Sequence, residues 1–205
     1  MSKRALIRLV LVVVFVGGVW WGATDDRKDP AQSLPRIAKV PAFDLVDQHG
    51  RQVNGATLAG YPWIANFIFT SCPTTCPLLT ADMARLQQKL NPKTRLLRFV
   101  SFSVDPERDT PAKLKAFALK HKADQRNWFF VTGPAQHVHE VIVKGFKMPL
   151  DRREDAKPGE ENILHGSHFV LVDHRGVIRG FYRSDKDGLR HLAYDAEMLA
   201  TRSKT

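Results

Sequence analysis

The chain has 205 residues, 43% of them hydrophobic and 25% charged, with a formal net charge of +10 and a pI near 9.9. That length and apolar content fill one globular core and leave no room for a second. The basic residues are scattered, with no interleaved aromatic and basic motif, which excludes nucleic acid as a partner; the charge suits solubility, attraction to anionic lipid, or steering toward acidic proteins.

Residues Ala5 to Thr24 are apolar apart from Arg8, with Lys3 and Arg4 ahead and Asp25-Asp26 behind. Residues 1–24 read as an N-terminal transmembrane anchor, its span extended by a snorkelling Arg8 and the interfacial pair Trp20-Trp21. The uninterrupted stretch from Leu9 to Ala23 is only 15 residues, so a cleaved signal peptide is the alternative. Trp20, Trp21 and Asp25 suit a cleavage site poorly, while Gly22-Ala23 leaves one open. Either way the positive-inside rule sends the remainder across an inner membrane, facing the periplasm or the equivalent intermembrane space, where conditions are oxidising. Residues 25–39 are polar, contain Pro30 and Pro35, and read as a tether; residues 40–205 form the domain.

Within the domain, Ala42 to Val46, the turn Asp47-Gln48-His49-Gly50 and Gln52-Val53 predict a hairpin. Trp63 to Phe69 is a near-continuous apolar run, the pattern of a central strand covered on both faces. The next helix is expected to start around residues 71–76, with Ser71 as its cap and Pro73 in its first turn. Its core stripe is Leu79, Met83, Leu86 and Leu90, and Asn91-Pro92 stops it. Leu96 to Val104 predicts a second buried strand, Thr110-Pro111 a helix carrying Leu114, Phe117 and Ala118, and Trp128 to Val131 a third strand. Gln136 to Lys144 reads as a shorter helix and Met148 to Asn162 as a charged surface loop. Phe169 to Val172, the turn His174-Arg175-Gly176 and Val177 to Tyr182 make a terminal hairpin, and a helix from Gly188 to Thr201 closes the chain. The fold class is α/β, a mixed sheet with helices on both faces.

The two cysteines of the chain, Cys72 and Cys76, stand four apart in Thr70-Ser71-Cys72-Pro73-Thr74-Thr75-Cys76-Pro77, where the central strand gives way to the helix. On a helix that spacing puts both thiols on one face, near the N-terminus that favours thiolate, so the pair can share a soft metal ion or close a disulfide. Two thiolates alone leave a cuprous ion open to exchange, and a neutral imidazole would complete a trigonal site. Eight histidines are present. His165, just before the strand from Phe169, can reach the end of an adjacent central strand, and His168 competes with it. His137 and His139 differ by two and point apart on a helix; His49, His121, His174 and His191 fall in turns or exposed helix ends, and these six read as structural or surface residues.

The cysteine motif, the Val104-Asp105-Pro106 after the second strand, and a histidine eleven residues before Gly176 together resemble the Sco/SenC family of copper chaperones over residues 40 to 200. The resemblance implies a thioredoxin-like fold binding copper outside the inner membrane, with ligands on Cys72, Cys76 and His165; a gap of three in the loop would move the last to His168. It also implies that Asp105 supports the site or a partner surface, whereas read from its neighbours alone it is a turn aspartate. Many members carry an aspartate after the Cys-Pro, where this chain has Thr74; without that like charge the thiolates are favoured, and a contact to one partner is lost.

Two functions compete. The first, which the resemblance implies, is a membrane-tethered copper chaperone, not an enzyme, that serves a copper-receiving protein such as cytochrome c oxidase subunit II and its dinuclear copper centre. The second is a thiol-disulfide oxidoreductase cycling Cys72 and Cys76. Three intervening residues rather than two weaken the second, and a distant histidine serves only the first. A peroxidase lacks its peroxide-binding set here, a structural zinc needs a fourth ligand, and so short a disulfide loop would stabilise little.

Overall fold

The computed structural model describes residues 34–94, 96–148, 151–152, 163–164 and 168–202, which fall within one compact unit, Leu34–Thr205. The N-terminal apolar segment lies outside the described residues; among these, no helix is long and apolar enough to cross a membrane.

In chain order the elements are β1 (Ala38–Lys39), β2 (Asp44–Val46), β3 (Gln52–Asn54), α1 (Gly55–Leu58), β4 (Trp63–Ile68), α2 (Thr75–Leu90), β5 (Arg98–Ser103), α3 (Pro111–Lys120) and β6 (Trp128–Val131). Then come α4 (Ala135–His139), a π-helical turn (Glu140–Gly145), β7 (Asp151–Arg152), β8 (Ile163–Leu164), β9 (His168–Val172), β10 (Val177–Arg183) and α5 (Lys186–Arg202). Six strands form one sheet in the order β1-β10-β9-β4-β5-β6, with β4, β5 and β6 parallel, β9 antiparallel to β4, β10 antiparallel to β9 and β1 antiparallel to β10. This is the expected mixed α/β architecture.

β4 is central and buried along its whole length, as its continuous apolar run predicts. Strand alternation puts Trp63 and Phe67 on one face, where Phe102, Phe146 and Phe43 meet them; Phe146 lies 5.2 Å from both Phe67 and Phe102. The other face carries Asn66, in register with Ser101 and, one strand on, Phe130, which Phe117 of α3 covers. There the Ser101 hydroxyl donates to Asn66 Oδ1 at 2.6 Å and accepts the Trp128 indole N–H at 2.9 Å, while the buried Asn66 Nδ2 has no hydrogen-bond partner among the described residues. Helix α2 packs on β4 and against α5, with Leu79, Met83, Leu86 and Leu90 all buried as the stripe requires.

The hairpin β2–β3 turns at Asp47, whose carboxylate accepts the N–H groups of His49 and Arg51 and the Arg51 guanidinium, and Gly50 takes the left-handed conformation at φ +75°. Gln48 reaches from this turn to the outer edge of β6: it donates to the Trp128 carbonyl at 3.0 Å and accepts the Phe130 N–H at 2.8 Å. Val46 and Thr132 exchange two backbone hydrogen bonds at 2.9 Å beside it.

Three expectations need correction. The predicted helix over 136–144 is α-helical only to His139; beyond it the backbone widens so that Phe146 N–H reaches back five residues to Val141, which lets Val141, Ile142 and Phe146 all bury. The stretch read as a loop from Met148 contributes β7, paired with β8 (Asp151 with Leu164, Arg152 with Ile163). The sheet also takes in residues ahead of 40: Ala38 and Lys39 pair with Ile178 and Val177, and buried Arg179 donates to the carbonyls of Leu34 and Pro35 while its other arm meets Asp173 at 3.0 Å. The polar residues of the expected tether are thus already part of the fold from Leu34.

Candidate metal centre

β4 delivers the chain to the cysteine loop. Ile68 ends the strand, its carbonyl accepting the Val104 N–H at 2.8 Å, and the backbone turns at Thr70-Ser71 with Cys72 N–H donating to the Phe69 carbonyl at 3.3 Å. Helix α2 begins at Thr75, and its N-cap position is Thr74, not the expected Ser71. Cys72 precedes Pro73, whose ring disfavours a helical conformation in the residue before it. Cys72 therefore lies in the turn and Cys76 in the first helical turn, so the two do not share a helix face.

What joins them is hydrogen bonding. The Cys76 N–H, one of the first-turn donors with no partner inside the helix, donates to Cys72 Sγ at 3.3 Å. The Phe69 N–H donates to Cys76 Sγ at 3.4 Å. Each sulfur accepts a backbone N–H beside the positive end of α2, an environment suited to electron-rich sulfur. Both are nearly or fully shielded from solvent, Cys72 at 4% exposure and Cys76 at 0%. The Thr80 hydroxyl fixes the turn beneath by donating to the Cys76 carbonyl at 2.7 Å. Close by in sequence, Leu78 is 68% exposed, an apolar side chain standing out from the same helical turn.

Sequence reasoning passed over Asp109. Its carboxylate is fully buried and accepts three donors: the Thr70 N–H at 3.2 Å, the Thr70 hydroxyl at 2.6 Å and the Ser103 hydroxyl at 2.7 Å. An aspartate just before Thr110-Pro111 reads as part of a helix start, and nothing local marks its partner 39 residues upstream. The nearby Asp105, buried and 3.6 Å from the Arg108 guanidinium, organises the same corner. Its N–H donates to Ser103 Oγ at 3.2 Å and its carbonyl accepts the N–H groups of Arg108 and Asp109.

β9 runs antiparallel to β4, so its first residue, His168, stands toward the end of the sheet to which β4 carries the cysteines. His168 is half-buried and in register with Arg183. His165 lies outside the described residues. His137 and His139 sit on α4 and His191 on α5; His49 and His174 are in turns, and His121 ends α3 against the Phe117 ring at 4.3 Å. Among the described residues no three side chains of the His, Cys, Asp or Glu type converge as a metal site. The soft donor pair Cys72 and Cys76 fits a thiophilic cation and leaves at least one position to be filled.

A family model described as SCO1/SenC matches residues 31–200. The chain is 39% identical over 162 residues to the SCO1 protein homolog of Bacillus subtilis, covering 78% of this chain and 80% of that protein. Among solved structures it is similar to BsSco, reported with a disulfide switch and as a member of the Sco family of cytochrome c oxidase assembly proteins, at 34% identity and a TM-score of 0.71, covering 82% of this chain and 96% of that one. It is also similar to Bradyrhizobium japonicum ScoI with copper bound, at 25% identity and a TM-score of 0.64, covering 79% and 99%. The matched stretch contains the cysteine loop, the Asp105-Pro106 turn and the terminal hairpin, and the chain belongs to the SCO1/SenC family.

Proposed function

We propose that this protein is a copper carrier that receives the ion on Cys72 and Cys76, completes its coordination with the imidazole of His165, and passes it to a copper-receiving protein, cytochrome c oxidase subunit II. The observation that carries this reading is the pair of shielded sulfurs brought together by Cys76 N–H and Cys72 Sγ at the N-terminus of α2. Two thiolates and an imidazole match the preference of a cuprous ion for soft, low-coordinate sites, and ligand exchange with a partner's sulfurs moves the ion without a redox step. The copper-bound relative supports the choice of metal, and the relative described as an oxidase assembly protein supports the recipient. Residues 1–24 would hold the domain at the inner membrane, facing the periplasm.

A second reading is favoured by the same sulfur contact and by the relative with a disulfide switch. In it Cys72 and Cys76 become a disulfide, giving up two electrons and two protons, while a disulfide on the client becomes two thiols.

The test is copper binding to the reduced protein, with stoichiometry and X-ray absorption. One copper with two sulfur ligands and one nitrogen is expected. Cys72→Ser or Cys76→Ser should abolish tight binding, and His165→Ala should remove the nitrogen and weaken retention. Normal binding by His165→Ala with loss in His168→Ala would transfer the third ligand to His168. Failure to hold copper against a modest chelator, with a readily exchanging disulfide, would favour the oxidoreductase.

A further inference from the structure

We infer that Asp109 is a positioning residue for the cysteine loop, a latch that acts on Cys72 through the peptide plane between Phe69 and Thr70. That plane has two ends. Its N–H, on Thr70, donates to the Asp109 carboxylate at 3.2 Å, and its carbonyl, on Phe69, accepts the Cys72 N–H at 3.3 Å. Because a peptide unit is rigid, fixing the N–H fixes the direction of the carbonyl and with it the backbone of Cys72. The next amide back, Phe69 N–H, is the donor to Cys76 Sγ, so a swing at Thr70 disturbs the donors to both halves of the site.

Asp109 is suited to this role by its surroundings. Its carboxylate is fully buried, and a charge there is tolerated only while its lone pairs are filled. Two of the three donors that fill them come from Thr70, and the Thr70 hydroxyl contact, at 2.6 Å, has the short length of a charge-assisted bond. The third comes from Ser103 at the end of β5, which ties the carboxylate to the rigid sheet. The loop after β4 is thus held from the neighbouring strand, and the latch sets how often the sulfurs open to solvent, to a chelator or to a partner.

Copper retention as a readout rests on the function proposed above; thiol exposure does not, and the experiment uses both. The metal-free reduced protein is alkylated with iodoacetamide under native conditions, and the copper-loaded protein is challenged with bicinchoninate. Asp109→Asn, which turns one acceptor into a donor facing donors, should raise the alkylation rate about tenfold, and Thr70→Val about fivefold, with copper release rising in parallel. Thr70→Ser, which keeps the hydroxyl, should stay within about twofold of the parent. Leu192→Ala, a fully buried position on α5, supplies a destabilised comparison with its latch intact. The latch is overturned if folded Asp109→Asn and Thr70→Val alkylate at the parent rate, or if Leu192→Ala at matched Tm loss rises as much as they do. Should the parent hold no copper while the alkylation pattern appears as stated, the latch stands and the copper reading falls.

Discussion

His121, outside the site, is one residue through which acid bears on the stability of the fold. Its ring lies 4.3 Å from that of Phe117 and its Nε2 is buried, without a hydrogen-bond partner among the described residues. Burial, and secondarily the charge of Lys120, hold its pKa below the usual 6.5. The unfolded chain therefore takes up a proton first as pH falls, and stability drops from pH 6.5 down toward the lowered folded value. His121→Gln is expected to flatten the fall in Tm between pH 7 and pH 5 relative to the parent; an unchanged slope would place the acid sensitivity elsewhere. Single residues also show what a sequence exposes and conceals. Cys72 and Cys76 stand out because the chain has no other cysteines and they fall at a strand-to-helix junction. Asp109 gives no such signal, since its meaning depends on Thr70 and Ser103, which only the folded backbone brings to it.

Elements with strong periodicity were legible and those made by tertiary pairing were not. α2 carries its stripe at spacings of four, three and four, and the structure buries every member. Met83 is fully buried on α2, the helix that packs on β4 and against α5, and its replacement by alanine should cost about 3 kcal/mol, from transfer and cavity terms together, read from urea denaturation. A loss below about 1 kcal/mol would mean the neighbouring side chains collapse into the space. The start of α2 was misplaced because Ser71 looks like a cap, while the restriction that Pro73 places on Cys72 acts against a helix there. The π-helical turn is invisible to pattern reading for a different reason: Val138, Val141 and Ile142 fit an ordinary helix equally well, and the extra residue per turn is chosen by packing under Phe146. β1 has two residues and no alternation to detect, and exists because β10 offers it a partner.

Across the whole described unit, the longest-range polar contact closes the fold at its beginning. Arg179 on β10 ties Asp173, in the terminal hairpin, to the carbonyls of Leu34 and Pro35, so residues that by composition look like a linker complete a buried charge network. Starting the chain at Val40 would remove β1 and leave the guanidinium with fewer acceptors. A protein shortened to begin at Val40 should be less stable than one beginning at Leu34 by about 2 kcal/mol or more, measured by chemical denaturation of both. Equal stability would mean that water replaces the two carbonyls at no cost.

Gln48 gives the sheet a blunt rim. Its amide sits on the Trp128 carbonyl and the Phe130 N–H, the backbone groups through which another strand would dock, and at the opposite rim β1 is only two residues long. Copies of the molecule crowded together therefore have little backbone to zip along, and aggregation by strand addition is discouraged at both margins. An apolar side chain such as Leu78 can then stand exposed beside the cysteine loop without making the sheet itself adhesive.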